Sequence, residues 1–227
     1  MQSDGKRETK TRIQAIVFDM DGLMVDTEKL YFEVESALAR KYGKTFTREV
    51  MRAMMGTKGV DSFRIFQEQL GIDEDPEVLL EFREEGYNRL LHEKLEPMPG
   101  LFLLLELAEQ YRYRKAIATS SPVSQMNFII DQLGVRKFFE LLVSGDEVEQ
   151  GKPHPEIYQK VSGRLGLRSD QCLVLEDTEN GVRSAKGAGM YCIAVPNEFT
   201  KDHDFALADR VISSLEEVDL GLISSFG

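Results

Sequence analysis

Short apolar runs alternate with longer amphipathic segments over most of this chain. The apolar runs are rich in β-branched and aromatic residues, which predicts buried strands at residues 13–18, 115–119, 141–144, 172–175 and 191–195, with a short candidate at 210–212. Between them, helical spacing of apolar positions predicts helices at residues 101–111, 124–133, 155–165 and 180–188. This alternation predicts an α/β fold, a Rossmann-like parallel sheet with helices on both faces.

A purely helical segment interrupts the alternation after the first strand. Its apolar spacing predicts helices at residues 27–42, 47–55, 60–70 and 76–94. We therefore expect an α/β core of residues 12–26 and 96–227, an inserted all-helical domain of residues 27–95, and a flexible tail of residues 1–11. A cleft between two such domains is a common place for a small ligand.

The charge balance narrows the class of partner. The chain has 227 residues, 28 of them Lys or Arg and 39 Asp or Glu, for a net charge of −11. That surplus of acid argues against nucleic acid or an anionic membrane as a partner, but not against a small phosphorylated metabolite. Cys172 and Cys192 lie in apolar runs and are expected to be buried, reduced thiols. We expect a soluble, cytoplasmic monomer.

Acidic side chains follow two of the predicted strands. A D-M-D-G motif places Asp19 and Asp21 directly after the first strand, and Glu176 and Asp177 follow the fourth. Carboxylates that share the edge of a sheet repel each other unless a cation offsets their charge, and Mg²⁺ prefers such oxygen ligands. The ordinary alternative for Asp177 is the N-cap of a helix.

Two further segments offer groups that suit an anion. Thr119 and Ser120 follow the second strand and precede a helix, where they either contact an anion or, more ordinarily, cap that helix. Lys152 lies in a loop, G-K-P-H-P-E, whose two prolines stiffen the backbone. A lone Lys is usually solvated, but a Lys held rigidly beside the sheet could neutralise a phosphate.

Together and in this order, the segments D-x-D-G, Thr-Ser, K-P-x-P and E-D-x-x-N-G resemble the four motifs of the haloacid dehalogenase-like superfamily. The stretches DMDGLMVDTE and KPHPEIY are similar to the branch that holds β-phosphoglucomutases, sugar phosphatases and pseudouridine-5′-phosphatase. The resemblance spans about residues 14–195, and the helical insert matches the cap domain of that branch.

The resemblance implies a role for each motif residue. Asp19 would be the nucleophile that becomes an aspartyl phosphate. Asp21 would be the general acid and then the general base, and its backbone carbonyl would bind the metal. Thr119 and the amide of Ser120 would hold the phosphoryl oxygens, while Lys152 would neutralise their charge and orient the nucleophile.

The same resemblance implies Mg²⁺ as the cofactor. Asp19 and Asp177 would be its carboxylate ligands, with Glu176 binding directly or through a water. Dehalogenases and phosphonatases of the superfamily lack an acid at the position of Asp21. Because an alkoxide departs poorly without a proton, this residue favours phosphate-ester chemistry.

The leading hypothesis is a Mg²⁺-dependent phosphatase that acts on a sugar phosphate or a nucleoside monophosphate. A hexose phosphate mutase is the alternative. Mutases of the branch carry a His where this chain has Tyr31, and an Arg in the cap loop where it has residues 57–59, T-K-G. A third hypothesis, a non-catalytic module that binds a phosphometabolite, is disfavoured because the motif residues are all present.

Specificity is expected to come from the cap. Asp26, Thr27 and Lys58 are candidates for substrate contact near the hinge, although each could equally be a helix cap or a solvated residue. Glu156 stands where the family commonly has Asp. We expect this difference to matter little, since either acid suits the first turn of a helix.

Overall fold

The computed structural model describes residues 13–54, 57 and 59–226. The predicted tail, residues 1–11, and the candidate Lys58 lie outside the described residues. The chain divides into two compact units: Met1–Met24 with Met98–Gly227, and Val25–Pro97.

The first unit is built on a six-stranded sheet. Its strands are β1 (Ala15–Phe18), β2 (Arg114–Ala118), β3 (Leu141–Val143), β4 (Cys172–Glu176), β5 (Tyr191–Ala194) and β6 (Arg210–Val211). All neighbours are parallel, in the order β3-β2-β1-β4-β5-β6. The predicted fold class is confirmed, and each predicted strand lies within two residues of an observed one.

The helices follow the sequence prediction equally closely. They are α1 (Thr27–Lys41), α2 (Arg48–Met54), α3 (Val60–Leu70), α4 (Pro76–Lys94), α5 (Leu101–Gln110), α6 (Val123–Gln132), α7 (Glu156–Leu165), α8 (Glu179–Gly187) and α9 (Leu220–Ser224). The prediction missed α9, because five residues are too few to show a helical period. No described helix has both the length and the apolar character that crossing a membrane requires.

The register of the sheet decides which residues become neighbours at its edge. Phe18 at the end of β1 lies opposite Ile117 of β2 and Leu175 of β4. All three are fully buried, so the central strands are fixed on both faces by the core. The residues that follow these strands therefore emerge side by side at the carboxyl edge, where parallel sheets bind ligands.

The second unit consists of α1 to α4. α1 and α4 pack against each other, and α3 packs against both α2 and α4. Its interior is apolar and aromatic, with Phe63, Phe66, Leu79 and Tyr87 each at most 2% exposed. The side chain of Asp75 caps α4 at the amide of Glu77, and Pro76 begins the helix, so the chain carries its own start signal here.

Candidate active site

Asp19 begins the loop after β1, and its side chain meets a buried lysine. The Asp19 amide continues the sheet by donating to the carbonyl of Leu175 (3.0 Å). Lys152 Nζ donates to Asp19 Oδ1 (2.5 Å) and to the carbonyl of Ala118 at the end of β2 (3.0 Å). Both side chains of this ion pair are less than 10% exposed. The lysine is thus part of the sheet edge and not a solvated surface charge.

Glu176 at the end of β4 anchors the same lysine. Its Oε1 accepts from Lys152 Nζ (2.6 Å) and from the hydroxyl of Tyr158 in α7 (2.8 Å). Its Oε2 accepts from the amides of Asp177 (3.0 Å) and Thr178 (3.2 Å) and from Thr178 Oγ1 (3.1 Å). A fully buried carboxylate is stable only with such partners, and here both oxygens have them.

The start of α8 is shaped to admit this carboxylate. A Cβ built on Gly181 would lie 1.8 Å from Glu176 Cδ, so no larger residue fits there while Glu176 keeps its position. The amide of Gly181 donates to Thr178 Oγ1 (3.1 Å), which makes Thr178 the N-cap. Asp177 is therefore not the cap of this helix.

Asp21 points toward the loop after β2. Its Oδ2 accepts from Thr119 Oγ1 (3.1 Å) and from Ser121 Oγ (2.6 Å). Thr119 Oγ1 in turn accepts from the amide of Ser121 (3.0 Å), and the helix that follows starts after Pro122 with no side-chain cap. Ser120, the other predicted residue of this loop, is exposed. These hydroxyls serve Asp21 and not a helix end.

Three carboxylates form a group that fits a metal ion. One ligand oxygen from each of Asp19, Glu176 and Asp177 lies within 4.8 Å of the others, and all three residues are buried. Asp21, predicted to use its backbone carbonyl, is not one of these carboxylates. The donors are all oxygen, the donor type that a hard divalent cation prefers, and the three carboxylates outnumber Lys152, the lysine that pairs with Asp19 and Glu176.

The pKa values of the buried groups at this site reflect the excess of carboxylates over cations. Burial, with added repulsion from Glu176 and Asp21, outweighs Lys152 and raises the pKa of Asp19 to about 8. Burial alone would lower the pKa of Lys152, but Asp19 and Glu176 reverse this and raise it above its ordinary value. Burial raises the pKa of Tyr158 well above its ordinary value, so its hydroxyl keeps the proton that it donates.

The loop that carries Lys152 is tied to the helix after it. Glu156, the first residue of α7, accepts from the amides of Glu149 (Oε1, 3.1 Å) and Gln150 (Oε2, 3.0 Å) and pairs with Lys160 (3.0 Å). The hydrogen bond from Lys160 and those two amides lower the pKa of Glu156 to about 2. Its side chain thus closes the loop in addition to suiting the helix dipole.

The candidate cap residues belong to the second unit. Asp26 is the N-cap of α1, where its Oδ1 accepts from the amide of Lys29 (3.1 Å). Thr27 is the first residue of α1 and is 1% exposed. The helix-cap alternative considered for Asp26 therefore describes what its side chain does in this structure.

Sequence reasoning missed several residues of the site, including Gln125 of α6, whose Nε2 donates to Asp21 Oδ1 (3.3 Å). Ser121 stands beside the predicted Ser120, Tyr158 ends the K-P-H-P-E-I-Y stretch, and Asn197 follows β5. Asn197 Nδ2 donates to Asp177 Oδ2 (2.9 Å). Each of them follows a strand or faces one from a helix, so the rule that ligands bind at the carboxyl edge would have pointed to Asn197.

Comparison with known proteins agrees with this geometry. A family model described as haloacid dehalogenase-like hydrolase matches residues 16–195. A phosphorylated carbohydrates phosphatase of Thermotoga maritima is 37% identical over 178 residues, which cover 78% of this chain and 82% of the relative. The (DL)-glycerol-3-phosphatase 2 of Arabidopsis thaliana is 34% identical over 213 residues, with 89% and 88% covered.

A solved structure shows the same likeness in three dimensions. The crystal structure of CbbY from Rhodobacter sphaeroides in complex with phosphate superimposes with a TM-score of 0.73 at 28% sequence identity. The match covers 90% of this chain and 96% of that one.

Proposed function

The chain belongs to the haloacid dehalogenase-like hydrolases, in their sugar-phosphatase branch, and is a phosphoric monoester hydrolase; from that membership we propose that it is a Mg²⁺-dependent phosphatase acting through an aspartyl phosphate on Asp19. The observation that carries the proposal is the buried contact of Asp19 with Lys152 (2.5 Å) inside a group of three carboxylates. A carboxylate held beside a fixed cation at a sheet edge is suited to attack phosphorus.

In the first proposed step, a carboxylate oxygen of Asp19 forms a bond to phosphorus while the bond to the substrate oxygen breaks. The departing alkoxide takes a proton from the carboxyl group of Asp21. Thr119 and Ser121 hold that group at the β2 loop by hydrogen bonds of 3.1 and 2.6 Å, so it is positioned before substrate arrives.

In the second step, Asp21 takes a proton from a water molecule, whose oxygen bonds to phosphorus. The bond between phosphorus and Asp19 breaks, phosphate leaves, and the Asp19 carboxylate is restored. Lys152 balances the negative charge of the phosphoryl oxygens in both steps, and Glu176 with Tyr158 keeps its ammonium group at the sheet edge.

Asp19, Asp177 and Glu176 would hold the metal ion, with the Asp21 carbonyl as a further ligand. A bound Mg²⁺ would supply positive charge that offsets the negative charge of the carboxylates and of the phosphoryl group. Because both oxygens of Glu176 already accept hydrogen bonds, we propose that it acts mainly through Lys152 and through water bound to the ion.

We propose a small phosphorylated metabolite, a sugar phosphate or a nucleoside monophosphate, as the substrate. Two relatives, a phosphorylated carbohydrates phosphatase and a (DL)-glycerol-3-phosphatase, are named for substrates of this class and support the proposal. Asp26, Thr27 and Lys58 remain the proposed contacts of the cap. The net charge of −11 favours such a ligand over nucleic acid or membrane.

The cellular setting is a further part of the proposal. Cys172 in β4 and Cys192 in β5 are buried free thiols, and burial raises the pKa of Cys172 to about 11. Buried, protonated thiols suit a reducing compartment, which supports a cytoplasmic location. We propose that the monomer is sufficient for activity, since the catalytic residues named above all come from one unit of one chain.

The test is a phosphate-release screen over sugar phosphates, glycerol 3-phosphate and nucleoside monophosphates, run with Mg²⁺ and again after EDTA. Release that EDTA abolishes and added Mg²⁺ restores supports the proposal. Conversion of β-glucose 1-phosphate to glucose 6-phosphate without free phosphate would instead identify a mutase. Binding of these compounds with no turnover would identify a non-catalytic module.

A further inference from the structure

Asn197 lies in the loop after β5 and reaches two other loops of the sheet edge. Its side-chain nitrogen, Nδ2, donates to Asp177 Oδ2 at the end of β4 (2.9 Å) and to the backbone carbonyl of Gly22 after β1 (3.2 Å). The two N–H bonds of one amide thus join the segment that carries Asp177 to the D-M-D-G turn that carries Asp19. None of the four sequence motifs includes this residue.

The orientation of the amide is fixed by its own loop. Asn197 Oδ1 accepts from the amides of Phe199 (2.8 Å) and Thr200 (3.1 Å), and the Asn197 amide donates to Thr200 Oγ1 (3.0 Å). Because Oδ1 faces two backbone donors, the NH₂ group must face the sheet edge. The side-chain amide therefore cannot be flipped by 180°, since that would place the NH₂ group against the two backbone donors.

Gly22 and Asp177 pack closely around the side-chain amide of Asn197. A Cβ on Gly22 would lie 2.2 Å from Asp177 Oδ2 and 2.7 Å from Asn197 Nδ2, so the three groups are in close contact. Gly22 also has a φ of +78°, which a side chain would oppose. The turn after β1 is thus pressed against Asp177, and Asn197 binds both sides of the contact.

We propose that Asn197 is a positioning residue for the metal centre: it orients the Asp177 carboxylate and holds the D-M-D-G turn beside it. The inference rests on the proposed function, because it assigns a role toward the ion that Asp177 would bind. Groups that hydrogen-bond a ligating carboxylate fix its direction, and losing one typically weakens metal affinity about 10- to 100-fold.

The decisive variant distinguishes the role of the side-chain NH₂ group of Asn197 from the role of its oxygen. Asn197→Ser keeps a side-chain oxygen that can accept from the Phe199 and Thr200 amides, but it removes the NH₂ group. Asn197→Ala removes both. Asn88→Ser makes the same chemical change at an exposed position of α4 and is the matched control.

Binding of Mn²⁺ alone, followed by the electron paramagnetic resonance signal of the free ion, is the readout, with thermal unfolding in parallel. We expect Asn197→Ser to raise the Kd for Mn²⁺ about 10- to 100-fold while the apo protein unfolds close to the wild-type temperature. Asn197→Ala should show the same loss of affinity with a lower unfolding temperature, and Asn88→Ser should match wild type.

The outcomes distinguish this inference from the proposed function. If wild type binds Mn²⁺ and Asn197→Ser binds it equally well, Asn197 serves only its own loop and the inference is wrong. If affinity falls only in proportion to a lost unfolding temperature, the effect is structural and the inference is again overturned. If wild type binds no Mn²⁺, the metal dependence of the proposed function fails as well.

Discussion

Glu176 is a single buried carboxylate that joins several parts of the candidate site. It accepts hydrogen bonds from the ammonium group of Lys152, from the hydroxyl of Tyr158 and from the start of α8. Its position therefore decides where the ammonium group stands relative to Asp19. Gly181 controls that position, because its missing side chain is what admits the carboxylate.

Replacing Gly181 by Ala should displace Glu176 and, through it, Lys152. A Cβ would lie 1.8 Å from Glu176 Cδ, and a misplacement of about 1 Å at a catalytic group costs about 10²-fold in rate. We expect Gly181→Ala to lower kcat for phosphate release by about that factor. Gly187→Ala in the same helix, where the nearest contact is 3.4 Å, should leave kcat unchanged. Equal rates for the two variants would contradict this role of Glu176.

Single residues also show how far the sequence alone could lead. Asp19, Asp21 and Asp177 stand just after predicted strands and Lys152 stands in a loop with two prolines, and the order of these segments carries the resemblance to the family's motifs. Asn197 belongs to no such motif: the rule that ligands bind at the carboxyl edge points to the loop after β5, but the contact with Asp177 depends on the sheet order that sets β5 beside β4. Pairing between distant strands is not encoded in local periodicity.

At the scale of elements, α7 does more than pack on the sheet. Glu156 in its first turn accepts from two amides of the preceding loop, which holds the loop that carries Lys152. The sequence indicated only an acid at a helix start. The hydrogen bonds of this side chain with the amides of residues 149 and 150 depend on the path of the loop, which hydrophobic periodicity does not predict.

Removing this carboxylate should release the loop. In Glu156→Ala we expect the amide hydrogens of Glu149 and Gln150 to exchange faster with solvent, and kcat to fall, because the Lys152 loop loses two hydrogen bonds. Lys160→Ala removes the partly exposed ion pair and the hydrogen bond that Lys160 Nζ donates to the carbonyl of Glu147, but it keeps both amide hydrogen bonds of Glu156, so exchange at those amides should change less than in Glu156→Ala. Unchanged exchange in Glu156→Ala, measured by NMR or mass spectrometry, would show that the loop is held by other contacts.

The helical unit contains a buried acid of its own. Glu35 of α1 is 4% exposed, and burial, partly offset by Arg83, raises its pKa from 4.5 to about 7. A carboxyl group whose pKa is higher in the folded state binds its proton more tightly there. Proton binding by Glu35 therefore adds fully to the free energy of unfolding below about pH 4.5, and this contribution is lost as the pH rises through about 7. A pKa shift of this size corresponds to roughly 3 kcal/mol in the free energy of unfolding.

We expect Glu35→Gln to have nearly the stability of wild type at pH 5 and to be more stable at pH 8, by up to roughly 3 kcal/mol. The gain arises because Gln needs no proton to stay neutral. Urea unfolding at the two pH values measures it, and Glu33→Gln, on the partly exposed side of the same helix, is the control. A difference between wild type and Glu35→Gln that does not change with pH would contradict the raised pKa.

At the scale of the whole molecule, part of the acidic surplus behind the net charge of −11 lies at the carboxyl edge of the sheet. Three of the four acids predicted at the sheet edge, Asp19, Glu176 and Asp177, bring ligand oxygens within 4.8 Å of one another. The fourth, Asp21, turns to the hydroxyls of the β2 loop. The acids thus divide into a group suited to a cation and one carboxyl group suited to proton transfer.

The sheet and the order of helices followed from hydrophobic pattern because they depend on local periodicity. The second compact unit covers Val25–Pro97, while the sequence lacked strand patterns over residues 27–95. Substrate choice did not follow, since no local pattern identifies the side chains that contact a substrate. That choice is an experimental question for the substrate screen.

The most direct test of the central claim is kcat for phosphate release by Asp19→Asn in excess Mg²⁺, with the best substrate from the screen. The amide nearly preserves the shape of the side chain but cannot attack phosphorus, so we predict a loss of about 10³-fold or more. Asp61→Asn, at an exposed position of α3, should keep the wild-type rate. An Asp19→Asn enzyme that releases phosphate as fast as wild type would show that Asp19 is not the nucleophile.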